Sequence, residues 1–299
     1  MISPCFRFIK WELVDTGVDN LNNQSVRSWI DYIDYDLEGE EGEPVLSGGY
    51  SSLVSFLLTS LAGRVSLRPG CRVAEIDWAG EEEVRVSTEA GEIFSAQYVV
   101  ISLPLGVLKS THATLFSPSL PKQKIEIIEQ LQFGVMNKIF LSFDQIFWDQ
   151  DNPGIQFIKT DLGKSKTLSP QSIPSDLQVP EDDSERELSE SWQESIAGFD
   201  SVSGQPSVLC GWISGPPAVY MESLADSEIL QTCWGLLRRY VGDTRVPRPV
   251  SCTPTRWATN PAARGQSQHQ QVILLLQLQL NTRGFSCLLI RGAGNQKVP

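Results

Sequence analysis

One strand constrains the fold more than any other stretch of this chain. Residues 97–103, Gln-Tyr-Val-Val-Ile-Ser-Leu, form a nearly continuous apolar run that ends at Pro104. Strands that are buried on both faces of a sheet have this composition, because neither face of such a strand meets water. The run therefore predicts an interior strand of a sheet that other elements cover.

The residues before this strand change from a helical to a strand periodicity. Leucine and valine recur at helical spacing over 51–61, and Gly63 ends the predicted helix. From Val65 the period becomes two, which predicts strands at 65–67, 73–78 and 84–86, joined by turns that contain glycine. We expect a β-meander in this part of the chain.

Helices and strands also mix in the rest of the sequence. Their periodicity predicts helices within 6–33, 121–130 and 226–237, strands at 138–143 and 208–213, and a long surface excursion at 160–195. We expect Asp226 to cap the last of these helices. The fold class is therefore α/β, of a mixed α+β kind.

Composition excludes several classes of function. The 299 residues carry a formal charge of −12, so a general nucleic-acid binder, which needs a basic face, is not expected. The six cysteines and two histidines show no spacing typical of a metal site. No apolar run approaches the roughly 20 residues of a membrane helix. The oligomeric state stays open.

The cysteines and the two termini bear on location. Scattered cysteines without a disulfide framework suggest reduced thiols in an intracellular compartment. The N-terminus does not have the pattern of a signal peptide. We expect a cytoplasmic protein; a peroxisomal one stays open, although the final Lys-Val-Pro is not a Ser-Lys-Leu signal.

Six stretches, in this order, carry a resemblance to a known family. They are GGYSSLV (48–54), VAEIDW (73–78), VVISLPLGVLK (99–109), NKIFLSF (137–143) followed by FW (147–148), LCGWISG (209–215) and RW (256–257). From about residue 10 to residue 265 the chain resembles the flavin-dependent amine oxidases, and among them the polyamine oxidases of the spermine oxidase and acetylpolyamine oxidase types.

The resemblance implies an FAD cofactor and assigns roles to individual residues. Val73 matches a valine whose backbone holds the adenine end of FAD, and Leu103, Pro104 and Leu105 match a strand end beside the cofactor. Lys138 matches a lysine that reaches flavin N5 through a water and is the catalytic candidate.

Three further matches lie near the ring and the substrate channel. Trp257 matches a tryptophan that lines the isoalloxazine pocket, and Gly48 and Gly49, with Tyr50, match a tight turn near the channel. From the residues alone, a tryptophan such as Trp257 is usually part of a core or its rim, and a lysine such as Lys138 usually lies at the surface.

The family pattern is incomplete at both ends of this sequence. It requires a strand-turn-helix with GxGxxG, in which a helix N-terminus holds the pyrophosphate, and no such unit occurs here. Beyond residue 266 the sequence leaves the pattern, and its composition changes. We therefore expect this chain to bind FAD weakly or not at all on its own.

The resemblance also implies a division into domains. We expect a helical part of the substrate domain at 1–62, a β-meander of the FAD-binding domain at 63–110, a helix-covered mixed sheet for substrate at 111–255, and a return to the FAD domain with a divergent tail at 256–299.

Three functions remain in competition. The first is oxidation of the secondary amines of spermine, spermidine or their acetylated forms, with O₂ reduced to H₂O₂ and activity weak or absent in the chain alone. The second is a non-catalytic interaction or regulatory role. The third is a flavin oxidase that demethylates methylated lysine.

Overall fold

A computed structural model describes residues 49–267, except 62, 81, 132, 151–153, 158–188, 190–191 and 243, together with 288–291. Gly48, the predicted helices within 6–33 and most of the predicted 160–195 excursion lie outside the described residues. The chain divides into two compact units. Of the described residues, Gly134–Pro261 belong to unit 1 and the remainder to unit 2.

Helices and strands alternate along the described chain. They are α1 (Gly49–Ser60), β1 (Val73–Asp77), β2 (Val84–Thr88), β3 (Ile93–Ala96), β4 (Tyr98–Ile101), α2 (Leu105–Leu115), β5 (Phe116–Ser117), α3 (Lys122–Gln130), β6 (Phe133–Gly134), β7 (Met136–Ser142), β8 (Gly154–Gln156), a 3₁₀ turn (Trp192–Ser195), β9 (Gly198–Val202), β10 (Gln205–Ser214), α4 (Gly215–Glu222), α5 (Asp226–Val241), β11 (Ser251–Pro254), β12 (Gln266–Ser267) and β13 (Leu288–Arg291). The mixed α+β class is confirmed.

Unit 2 contains a four-stranded sheet with the order β3-β2-β1-β5. The first three strands form the expected antiparallel meander, and β5 joins β1 in parallel. Alternation along these strands, together with α2 and α3, buries a small apolar core. Its members are Ile76, Val84, Ile101, Leu115, Phe116, Leu120 and Ile128.

Two predictions about unit 2 are wrong. Strand β4 is not buried on both faces: it pairs with β13 in a two-stranded ribbon, and Val100 is 62% exposed. One face of β4 is covered, since Val99 and Ile101 pack in the unit 2 core, and the other face, with Tyr98 and Val100, is exposed. Residues 65–67 are not a strand; Val65 and Leu67 are exposed.

Unit 1 is a five-stranded sheet with the order β11-β7-β10-β9-β8. All four of its pairings are antiparallel, whereas a mixed sheet was expected here. Strands β8, β9 and β10 pair in sequence order, whereas β7 pairs with β10 and β11, which come later in the chain. Helices α4 and α5 pack on the sheet and its edge, so that one face is covered.

The two faces of this sheet differ because side chains alternate along a strand. On β7, Asn137, Ile139 and Leu141 point into the core, and Lys138 and Phe140 point the other way. The second face, which we call the Lys138 face, also carries the residues that pair directly across from these two. They are Trp212 opposite Lys138 and Cys210 opposite Phe140. Asp200, on the next strand, lies opposite Cys210 on the same face.

None of the helices within the described residues is long and apolar enough to cross a membrane.

Candidate functional site

The Lys138 amine lies over an indole ring on the Lys138 face. Lys138 and Trp212 are directly paired across β7 and β10, and Nζ is 4.1 Å from the centre of the Trp212 ring. A cation–π contact at this distance contributes a favourable interaction free energy of about 0.5–1 kcal/mol at an exposed site and about 2 kcal/mol when desolvated. The face therefore presents a positioned primary amine beside a flat aromatic surface.

A thiol and a carboxylate follow Trp212 on the same face. Burial raises the pKa of the Cys210 thiol to about 11, with the nearby Lys138 charge lowering it and Asp200 raising it. Asp200 Oδ1 accepts a hydrogen bond from Gln156 Nε2 at 3.0 Å. Since only the thiolate is an effective nucleophile, Cys210 has the properties of a packed, neutral side chain and not of a nucleophile.

The backbone of Lys138 is bound to Thr255, which follows β11. The Lys138 N–H donates to Thr255 Oγ1 at 2.8 Å, and the Thr255 N–H donates to the Lys138 carbonyl at 2.8 Å. The segment 255–259 therefore leaves the sheet edge in a fixed register with Lys138.

Asn137, next to Lys138, holds this segment from inside the core. Its side chain has 0% exposure. Its Oδ1 accepts hydrogen bonds from Thr255 Oγ1 at 3.0 Å and from the Trp257 N–H at 3.2 Å. Its Nδ2 donates to Glu222 Oε1 at 2.8 Å. A buried amide with partners on both its donor and its acceptor side avoids the cost of an unsatisfied polar group.

Glu222, at the end of α4, completes the network. It is 6% exposed, and both of its carboxylate oxygens accept hydrogen bonds from the segment. Oε1 accepts from the Ala258 N–H at 2.8 Å, and Oε2 accepts from the Thr259 N–H and Oγ1 at 2.7 Å each. Glu222 and Asn137 together bind three consecutive backbone amides of the turn that carries Trp257.

Arg256 binds the same turn to the loop between α4 and α5. Its guanidinium donates to the carbonyl oxygens of Glu222 at 3.1 Å and Leu224 at 2.9 Å, and to Asp226 Oδ1 at 2.6 Å. The prediction that Asp226 caps α5 is wrong. Ala225 occupies the cap position, and Asp226, the first helical residue, is paired with Arg256 instead.

Two predicted site residues are thus brought together in unit 1. The Trp257 amide is bound to the side chain of Asn137, the residue before Lys138, and the Trp257 side chain is 40% exposed. An indole exposed to this extent is available for contact with a ligand.

The other predicted site residues lie in unit 2. Val73 opens β1, where its backbone pairs with β2. Leu103 and Leu105 are half-buried against the unit 2 core, and the exposed Pro104 between them precedes α2. Gly49 and Tyr50 begin α1; Gly49 has φ of 64°, and Tyr50 is 79% exposed.

Sequence reasoning assigned no role to Trp212 or to the residues of the polar network, which are Asn137, Glu222, Thr255 and Thr259. One signal was present, since Asn137 falls in the same alternating register as Ile139 and Leu141 and must therefore be buried with them. The other partners carry no such signal, because Glu222 is 85 residues from Asn137 in sequence. Among the described residues, no cluster of His, Cys, Asp or Glu is arranged to hold a metal ion.

A sequence model of the family described as flavin containing amine oxidoreductase matches residues 13–281. The match covers most of the chain, and the chain belongs to this family.

Curated relatives include a polyamine oxidase and a histone demethylase. The human peroxisomal N(1)-acetyl-spermine/spermidine oxidase is 32% identical over 240 residues, which are 76% of this chain and 43% of the relative. The mouse lysine-specific histone demethylase 1B is 30% identical over 242 residues, which are 81% of this chain and 25% of the relative. The chain thus spans less than half the length of these relatives.

Solved amine oxidases share the fold. Wild-type putrescine oxidase bound to putrescine matches with a TM-score of 0.50 at 18% identity, covering 74% of this chain and 41% of that one. Cyclohexylamine oxidase from Brevibacterium oxydans IH-35A matches with a TM-score of 0.50 at 15% identity, covering 74% and 43%. The resemblance seen in the sequence is confirmed at the level of family and fold.

Proposed function

We propose that this chain is part of an FAD-dependent polyamine oxidase. The reaction removes a hydride from the carbon beside a secondary amine, giving an imine, and O₂ takes the two electrons and becomes H₂O₂. The observation that carries the proposal is the network that fixes the Lys138 backbone and the Trp257 backbone in one register. An amine donor and an indole held in this way suit the site of a flavin ring.

The chemistry of these two side chains fits one part of the cofactor. An isoalloxazine ring offers nitrogen and oxygen acceptors to an amine such as that of Lys138, and a flat surface to an indole such as that of Trp257. When bound, the flavin supplies the electron acceptor that no side chain of the protein provides. In this proposal Lys138 holds a water and its proton near the ring, and Trp257 forms a wall that excludes bulk water.

The remaining cofactor contacts are proposed in unit 2. The Val73 backbone would hold the adenine end, and Leu103, Pro104 and Leu105 would lie beside the cofactor. Gly48, Gly49 and Tyr50 would border the substrate channel. The proposed meander at 63–110 would thus serve the flavin, and the sheet of unit 1 would serve the substrate.

Polyamines are the substrate class that we favour. The human and bovine relatives at 32% identity are named as oxidases of acetylated spermine and spermidine. The chain charge of −12 would attract a polycation.

The test is a flavin titration followed by an amine titration. The full chain is purified with added FAD, its visible spectrum is recorded, and spermine or acetylspermine is added without oxygen. We expect flavin uptake by the chain alone to be weak or absent; the flavin that is bound should bleach, and peroxide should be released once air is admitted. A protein that takes up flavin and stays yellow with every polyamine would contradict the proposed substrate class.

Lys138→Met tests the residue itself. We expect bleaching to slow by about a hundredfold, the lower range for loss of a group that handles protons. Lys122→Met is the matched control, because Lys122 is highly exposed on α3 and forms only an ion pair with Glu126 within its own helix. An equal loss in both variants would remove Lys138 from the mechanism.

Demethylation of methylated lysine is the second candidate, favoured by the lysine-specific demethylases at 30% identity. The two substrates share an amine with an oxidisable neighbouring carbon, so the chemistry does not separate them. The same bleaching assay, carried out with a dimethyl-lysine peptide, distinguishes the two substrate classes. Bleaching by the peptide and not by polyamines would favour this candidate.

We also propose an intracellular location. Cys71, Cys210, Cys233 and Cys252 are free thiols in the described structure, as is usual in reducing compartments. Fractionation of cells that express the full chain would test this, and recovery from the culture medium would contradict it.

A further inference from the structure

We infer that Glu222 and Asn137 are positioning residues that set the orientation of Trp257 relative to Lys138. The inference deepens the proposed function and rests on it for its catalytic consequence. Its structural part stands on the contacts alone, because every bond of the clamp lies within unit 1. We call Asn137, Glu222 and the three amides of Trp257, Ala258 and Thr259 the turn clamp.

The donors and acceptors of the turn clamp are matched one by one. Glu222 accepts four hydrogen bonds, from Asn137 Nδ2, from the amides of Ala258 and Thr259, and from Thr259 Oγ1. Only a group with acceptors at both oxygens satisfies all four, so a glutamine at this position would turn an N–H toward at least one donor.

These hydrogen bonds solvate the carboxylate of Glu222, and none of the residues that the structure describes makes a direct ion pair with it. The guanidinium of Arg256 reaches the Glu222 backbone carbonyl and Asp226 Oδ1. The negative group is therefore bound by the turn itself, and each amide that it binds fixes one peptide plane.

Asn137 links this turn to the strand that carries Lys138. Its side-chain amide is both a donor and an acceptor: Nδ2 donates to Glu222, and Oδ1 accepts from the Trp257 amide. Neither aspartate nor leucine at 137 would serve both ends. Because Lys138 follows directly and its backbone is bound to Thr255, the orientation of Trp257 and the position of Lys138 depend on one set of bonds.

A packing role alone would not require this arrangement. An apolar side chain in place of Glu222 would fill the same volume but would leave two amides of the turn without acceptors. The specific consequence of the turn clamp is therefore slow amide exchange at 257–259 and a fixed backbone at Trp257.

Hydrogen exchange of the full chain tests the clamp without any cofactor. In Glu222→Gln we expect the Ala258 or Thr259 amide to exchange at least about tenfold faster, the change expected when a buried donor loses its partner. Amides in the centre of β7, such as that of Leu141, report global unfolding and should change far less. Glu228→Gln, which removes the same charge from an exposed site on α5, is the control. Unchanged exchange at 257–259 in Glu222→Gln would overturn the inference.

Kinetics test the catalytic consequence. In the flavin-loaded chain, Glu222→Gln should lower kcat about tenfold and leave KM within about twofold, because the reacting groups shift while the substrate class does not. A wild-type kcat despite fast exchange would overturn the positioning role. If the flavin-loaded wild-type chain oxidises no amine, the proposed function fails, and the exchange experiment still decides whether the clamp exists.

A milder variant covers the case in which Glu222→Gln does not fold. Thr259→Val removes one of the four bonds, that from Oγ1, and retains the backbone amide. We expect exchange at position 259 to rise about tenfold, the lower range for loss of one hydrogen bond to a charged acceptor. Exchange equal to that of wild type in a folded Thr259→Val would count against the clamp.

Discussion

Gly211 provides a test of how unit 1 is packed. It lies in the middle of β10, opposite Ile139 on one side and Phe199 on the other. A Cβ at this position would lie 2.6 Å from Phe199 Cε1 and 3.0 Å from Cδ1. Carbon atoms in contact are about 3.5–4.0 Å apart, so Gly211→Ala creates an overlap of about 1 Å.

The overlap has no easy relief, since Phe199 is fully buried and its ring fits among core side chains. Overpacking of this kind costs about 1–3 kcal/mol. Gly235→Ala is the matched control, because Gly235 is exposed on α5 and none of the described atoms lies within 4 Å of its added Cβ. In a helix interior that change stabilises by roughly 0.5–1 kcal/mol.

The same substitution at the two glycines should therefore shift stability in opposite directions, with a difference of roughly 1.5–4 kcal/mol. Urea unfolding followed by tryptophan fluorescence measures both, and the midpoints should move apart at a constant slope. Phe199→Leu in the Gly211→Ala background should recover part of the loss. A Gly211→Ala midpoint at or above that of wild type would refute the packing argument.

Three further predictions concern side chains of unit 1. Arg256→Lys should cost about 1–2 kcal/mol in urea unfolding, because an ammonium cannot reproduce the fork of bonds made by the guanidinium. A double-mutant cycle of Lys138→Met and Trp212→Leu should give a coupling of about 0.5–2 kcal/mol, and a coupling of zero would mean that the amine leaves the ring in solution. The Cys210 pKa is raised from 9.0 to about 11, so the folded state holds its proton longer than the unfolded state does. Stability should therefore fall as pH rises from 9 to 11 and fall less in Cys210→Ala, as pH-dependent denaturation would show.

Periodicity predicted the elements whose signal is local. The meander strands β1 and β2, strands β7 and β10, and helix α5 all occur where alternation or helical spacing placed them. Each of these elements has one face that must be buried, and the spacing of its apolar residues indicates which face that is.

Elements without a local signal were missed. Helix α2 follows Pro104, and its cap position makes no side-chain hydrogen bond, so the usual marks of a helix start do not occur. Serine and threonine within it also favour other conformations. At 65–67 the opposite happens, since alternation is present but the described chain gives these residues no strand partner.

The candidate site also contains residues that the sequence identified and residues that it did not. Lys138 and Trp257 were found through resemblance, because short stretches around them match the family in order. The side chains that join them, Asn137 and Glu222, meet only through the fold of α4 against β7. Their pairing depends on tertiary structure, which no window of sequence contains.

The position of Lys138 follows from its neighbour. Side chains alternate along β7, so burying Asn137 in the core places Lys138 on the opposite face, and a shift of one residue would exchange them. The shifted register would place the amine of Lys138 in the core, among the side chains that now surround Asn137. It would also remove the hydrogen bond that Asn137 Nδ2 donates to Glu222. Both changes are costly, because a charge without a partner loses its solvation in the core, and the buried Glu222 carboxylate loses one of its four hydrogen bonds. The buried network thus selects the one register in which the amine faces Trp212 and the turn of Trp257 is bound.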